Sequence, residues 1–153
     1  MDPEDPVPFA MSGQLLDELP AAAIDTIVEA VGPDSGSPLL SLEVRVLGGA
    51  LTESPSDAGA LASLDQPFLT LGVGMVMDPA MAPAINAHLD LVSNALEPWD
   101  SGLKYANFID VPIDTRTCYP PDTFDRLQKV KTRYDPGDLF RANHPIPCPA
   151  AAG

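Results

Sequence analysis

Proline placement constrains this chain more than any other feature. Its eighteen prolines cluster in the first eight residues, at Pro33 to Pro38, at Pro120-Pro121 and in the last nine positions. Proline cannot continue a helix or a central strand, so each cluster marks a boundary and regular structure must fit between them. The chain has 153 residues, enough for one domain with one core. A mean hydropathy of +0.05 predicts that most of it is globular.

Between the prolines the apolar spacing is readable. Residues 20–31 place Ile24, Ile27, Val28 and Val31 at helical intervals, and "GPDSGSP" ends that helix. "LLSLEVRVLGGAL" alternates, with Leu42, Val44 and Val46 against Ser41, Glu43 and Arg45, which predicts a strand with one apolar and one polar face. Gly48-Gly49 predicts a turn, a bulge or a close backbone approach. "PFLTLGVGMVM" is a second strand, with Leu69, Leu71, Val73 and Met75 on one face and Phe68, Thr70, Gly72 and Gly74 on the other. The two glycines fill no core, so their face is open to a ligand or marks a tight bend. Met81, Ile85, Leu89, Val92 and Leu96 stripe the longest helical pattern, and His88 sits beside that stripe. "SGLKYANFIDVPID" reads as a short third strand with a loop. In "DTFDRLQKVKTRY", Phe124, Leu127, Val130 and Tyr134 point inward, Asp122 is a candidate N-cap, and the basic residues form a solvated face. The expected fold class is α+β: an antiparallel sheet covered by helices on one face, then a C-terminal helix and an extended tail.

Charge excludes several functions. The net charge is −14, and residues 1–103 hold sixteen acidic residues against one basic residue, Arg45. A nucleic-acid backbone would repel such a surface, and there is no polybasic patch for anionic lipid. The acidic start, "MDPEDPVPF", has neither the basic nor the apolar region of a signal peptide. No apolar run is long enough to span a bilayer. The expectation is a cytoplasmic protein that binds neither nucleic acid nor membrane. Cys118 and Cys148 are then free thiols, and with His88 and His144 they make no metal site. No phosphate-binding glycine loop, nucleophile elbow, zinc motif or local carboxylate pair occurs.

The C-terminal third carries a longer pattern. "YANFID" is followed, after about a dozen residues, by "FDRLQKVKTRYDPGDLFRANHPIP". This arrangement resembles the C-terminal segment of the berberine-bridge-enzyme-like FAD-linked oxidases. Tyr105, Asn107 and Phe108 match its first element. Arg126, Leu127, Val130, Lys131, Tyr134, Asp135 and Pro136 match the second, and Phe140, Asn143 and Ile146 the third. Upstream, "LEVRVLGGAL" and "PFLTLGVG" resemble the substrate domain of bacterial relatives, so the resemblance covers roughly residues 20 to 147.

The resemblance implies a role. In that family a larger flavin-binding domain lies beneath an antiparallel sheet that forms a ceiling over the flavin, and a small alcohol, sugar or related substrate loses hydride to it. The cofactor carries the chemistry and the protein supplies position. Here the resemblance implies FAD bound only with a flavin-binding partner domain, either a separate flavin-binding polypeptide or a further piece of the same protein. Tyr105, Asn107 and Asn143 would meet the cofactor, and Arg45, Thr70 and Phe108 the substrate. Phe108 stands where several relatives use a tyrosine as base, and a phenyl ring cannot take a proton, so no catalytic residue is assigned. If the two strands pair, Glu43, Arg45, Thr70, Gly72 and Gly74 are expected to form one polar, ligand-facing surface. The expected organisation is a proline-rich acidic segment over 1–19, a partial substrate domain without its flavin-binding domain over 20–147, and a disordered tail over 148–153. The alternative is a catalytically inactive remnant or protein-binding module that retains the fold. A homo-oligomer formed through an exposed sheet face is also expected.

Overall fold

The computed structural model describes residues 7–148. Residues 1–6 of the expected acidic segment and 149–153 of the expected tail lie outside the described residues. In chain order the elements are β1 (Phe9–Leu16), α1 (Ala21–Val31), β2 (Ser41–Val46), β3 (Phe68–Met75), α2 (Ala82–Ala95) and α3 (Pro121–Tyr134). The three strands form one antiparallel sheet in the order β1-β3-β2. The α+β class holds, with α1 and α2 on one face.

Register decides what each face carries. Leu69 pairs with Leu15 and Arg45, and Leu71 with Gly13 and Glu43. On the opposite face Thr70 pairs with Gln14 and Val44, Gly72 with Ser12 and Leu42, and Phe68 with Leu16 and Val46. The second face packs beneath the helices: Leu16, Ala23, Val92 and Leu96 form a buried cluster, with Ile27, Val31, Leu42, Phe68 and Trp99 around it. Each of the larger side chains contributes roughly 1.5–3 kcal/mol by leaving water. His88 bonds the Ala30 carbonyl through Nε2 at 3.0 Å and so ties α2 to α1.

The glycines of β3 belong to this helix layer, which corrects the ligand-facing expectation. A Cβ on Gly74 would lie 2.2 Å from Ile85 Cγ2, and one on Gly72 would lie 2.8 Å from Leu89 Cδ2. The absent side chains let α2 approach the sheet. Thr70 is buried on that side too, and its hydroxyl donates to the Gln14 carbonyl at 3.3 Å. Glu43 and Arg45 therefore lie on the opposite face from Thr70, Gly72 and Gly74, and the single polar surface expected from their pairing does not form.

Three further expectations change. The span 1–19 contains β1, whose Gln14 is buried yet satisfied by Asp100 and the Ser93 carbonyl. The expected strand within 101–114 is instead two single bridges, Leu16 to Asp100 and Ser12 to Ile109, around a 3-10 turn at Ala106–Phe108. In α1 the inward face centres on Ala23 and Ile27, leaving Ile24 and Val28 exposed. Gly48 and Gly49 have φ of 139° and 55° and lead into the turn Gly49–Thr52, so the turn reading holds there.

Candidate functional site

The helix-free face gathers most of the predicted residues. Leu15, Leu64 and Leu69 form a second buried cluster, with Leu47, Leu61, Leu103, Tyr105 and Phe108 packed against it. Above it the Arg45 guanidinium sits over the Phe108 ring at 5.0 Å. The Phe108 and Tyr105 rings are 5.4 Å apart and tilted by 46°. Asn107 Nδ2 donates to the Tyr105 hydroxyl at 3.1 Å. Arg45, Phe108, Tyr105 and Asn107 thus form one continuous group. Glu43 holds the arginine by two hydrogen bonds, at 2.9 and 2.7 Å.

Local chemistry positions this group. A Cβ on Gly13 would meet Phe108 Cβ and its carbonyl oxygen at 2.8 Å, so only glycine lets the 105–108 turn lie this close to β1. The segment leading into the turn is anchored by Asp100, which accepts from Gln14 at 2.7 Å, from Lys104 at 2.8 Å and from the Gly102 amide at 2.7 Å. Burial works to raise the pKa of the Asp100 carboxyl. The hydrogen bonds from Lys104, Gly102 and Gln14, with the Lys104 charge, outweigh it and hold the group below the usual carboxylate range. After the turn, Asp110 accepts from the Met11 amide at 3.0 Å. Sequence reading missed Gln14 and Asp100, because their roles depend on each other across 86 residues. It missed Gly13 because β1 itself went unrecognised.

A recess of about 290 Å³ opens beside the turn, lined in part by Lys104, Tyr105, Asn107, Cys118 and Tyr119. Burial pushes the Cys118 thiol up, which keeps it protonated and unreactive near neutrality. The recess lies at the lower bound of roughly 300–1,000 Å³ for ligand pockets, so it would not enclose a dinucleotide. Beside it the two aromatic rings and the Asn107 amide present a flat surface with a polar edge. Thr70 is on the other side of the sheet, and Asn143 is an exposed residue of the tail. Neither joins the group. Among the described residues, no cluster of three or more His, Cys, Asp or Glu side chains is arranged to hold a metal ion, and no helix is long and apolar enough to cross a membrane.

The tail is tied to its own chain. His144 Nε2 meets the Ile109 carbonyl at 3.0 Å, Thr115 donates to the Pro145 carbonyl at 2.9 Å, and Gln128 to the Pro147 carbonyl at 3.1 Å. Asp135 ends α3 by accepting from the Leu139 and Phe140 amides at 2.7 and 3.2 Å, while Lys131 bridges Asp135 and Asp138. Hydrogen bonding to Lys131 holds the Asp135 carboxyl below its usual range, and the Asp135 and Asp138 carboxylates hold the Lys131 ammonium above its own. Of the apolar stripe expected to point inward, Phe124 is buried and Leu127 half-buried, but Val130 is 53% and Tyr134 70% exposed. Phe140 is 75% exposed. The lower stripe of the helix and the tail aromatic Phe140 line an open apolar groove.

Residues 104–147 match the family model described as "Berberine and berberine like". No curated protein sequence matches the chain. Among solved structures it superposes on Physcomitrella patens BBE-like 1 with a TM-score of 0.77 and 18% identity, covering 96% of this chain and 32% of that one. Berberine bridge enzyme from Eschscholzia californica gives 0.72 and 18%, over 95% and 34%. Aclacinomycin oxidoreductase gives 0.71 and 24%, over 90% and 32%. The chain spans about a third of the length of each of these structures. Residues 104–147 thus match the berberine-like family segment, and the chain has the fold of the matching third of these structures.

Proposed function

We propose that this chain is the substrate-domain part of an FAD-dependent oxidoreductase, acting with a flavin-binding polypeptide supplied outside these 153 residues. FAD, when bound there, would accept hydride from a small alcohol, sugar or related organic molecule. The observation that carries this reading is the placement of the matched segment: Tyr105, Asn107 and Phe108 lie together on the helix-free face against Arg45. Tyr105 and Asn107 offer a ring and an amide to the edge of a flavin, and Arg45 and Phe108 orient substrate beside it. No side chain in this group is assigned as proton acceptor, since Phe108 has no ionisable atom. Chemistry would rest on the cofactor and on positioning. The open groove of Val130, Tyr134 and Phe140 is the surface that the flavin-binding polypeptide would cover.

The test is a visible spectrum. The chain is mixed with FAD alone, and separately with an FAD-loaded flavin-binding polypeptide of the berberine-bridge-enzyme type. The expected result is no flavin retained by the chain alone and a shifted flavin absorption in the mixture. Asn107→Ala should reduce that shift. An unchanged spectrum at every ratio would leave the inactive binding-module reading in its place.

A further inference from the structure

The outer edge of β2 has no partner among the described residues. β2 pairs only with β3, and the single bridges outside the strands all involve β1. The pairing register continues to Leu47, whose amide donates to the Pro67 carbonyl at 2.8 Å. Antiparallel strands alternate the direction of their backbone groups. Ser41, Glu43 and Arg45 therefore turn theirs to β3, and Leu42, Val44 and Val46 turn theirs outward. The edge is also apolar: Val44 is 38% and Val46 79% exposed, and neighbouring Leu40 is 64% exposed. An unprotected apolar edge is a template for another strand.

The sequence of this edge is complementary to itself. In an antiparallel pairing about Val44, Val44 meets Val44 of the copy, Leu42 meets Val46, and Glu43 meets Arg45. Val44, Leu42 and Val46 are the outward-turned residues, so the backbone groups that must pair face each other in this register. The apolar pairs fall on the helix side of the sheet. The two Glu43–Arg45 pairs fall on the helix-free side, where each arginine now bonds its own Glu43 at 2.7 Å. A register shifted by one residue would oppose inward-turned and outward-turned groups. A shift by two would break both charge pairs.

We propose that two copies of this chain associate through β2, antiparallel about a two-fold axis at Val44, to give one continuous six-stranded sheet. The inference is independent of the flavin reading. Opposite charges across a strand pair stabilise it and like charges oppose it, so charge reversal can test the register. The net charge of −14 repels a second copy at long range, but at physiological salt that repulsion is screened beyond about 8 Å.

Sedimentation of the full chain in physiological salt, from micromolar to millimolar concentration, should show a species of twice the 16.1 kDa chain mass. Arg45→Glu and Glu43→Arg should each shift the chain to monomer, with the dimer dissociation constant raised tenfold or more. Mixing the two single variants should restore a dimer. One variant then carries arginine at both positions and the other glutamate at both, so opposite charges meet at each cross-strand pair. Val44→Pro removes an outward amide that β3 does not use, so it should give a folded monomer with an unchanged circular dichroism spectrum. A wild-type chain that stays monomeric throughout overturns the proposal. So does a dimer that survives both single charge variants, or a mixture of them that stays monomeric. A monomer that dimerises only with a different polypeptide would assign the edge to that partner instead.

Discussion

Gly74→Ala asks whether the glycine face of β3 carries a helix or a ligand. If that face were open, alanine would stabilise the chain, since glycine in a strand costs roughly 0.5–1 kcal/mol in backbone entropy. The structure gives the opposite sign. The new methyl would lie 2.2 Å from Cγ2 of Ile85 and 3.3 Å from its Cβ. Ile85 is fully buried and branched at Cβ, so the clashing atom has no free rotation in which to yield. α2 must shift, and overpacking of this kind costs about 1–3 kcal/mol. Gly72→Ala should be milder, close to neutral, because its 2.8 Å contact is with the flexible end of Leu89. Urea unfolding followed by far-ultraviolet circular dichroism measures both, with the slope checked for constancy. Ile85→Ala alone should cost roughly 2–5 kcal/mol. On the Gly74→Ala background it should cost distinctly less, because the new methyl occupies part of the space vacated. Equal costs in the two backgrounds, or a stabilising Gly74→Ala, would refute the close packing of α2 on this face.

Other outcomes follow from the anchors of the site and tail. Asp100→Ala should cost about 1–3 kcal/mol by leaving Lys104 without its acceptor and Gln14 with the Ser93 carbonyl alone, read from the same urea curves. The folded Asp100 pKa is lowered, so its contribution is present above the unfolded value of about 3.9 and disappears as pH falls through the lowered folded value. Asp100→Asn should flatten that acid limb, and an unchanged limb would count against the anchor. In the tail, Lys131→Met should speed hydrogen exchange at the Leu139 and Phe140 amides several-fold while α2 amides keep their rates. The same ordering should be lost as pH falls through the lowered Asp135 value. At the alkaline end it should persist past the usual lysine pKa of about 10.4, since Lys131 is raised.

Much of the fold was legible, and its failures share a cause. The α2 stripe was readable because Ile85, Leu89, Val92 and Leu96 repeat at helical spacing and all four are buried. β2 and β3 were readable from strict alternation. β1 was not, because "FAMSGQLL" mixes glycine and glutamine among its apolar residues. Gln14 is tolerated inside only because Asp100 and the Ser93 carbonyl, far away in sequence, accept its protons. Glycine in a strand announces that something comes close without saying what, and at Gly72 and Gly74 that neighbour is a helix. One motif brings Tyr105, Asn107 and Phe108 together, and Arg45 joins them because its side of β2 is the one the 105–108 turn packs against. Thr70 failed because face membership across two strands depends on register, which the alternation of either strand leaves free. Val130 and Tyr134 follow an amphipathic pattern without an internal surface to receive it.

Hydrogen exchange on the chain, with and without an FAD-loaded flavin-binding polypeptide of the berberine-bridge-enzyme type, tests the central claim most directly. If the helix-free face meets the flavin, amides of residues 104–109 and of the Val130–Phe140 groove should gain protection while α1 is unchanged. Protection on the outer surface of α1, with residues 104–109 unaffected, would contradict the account.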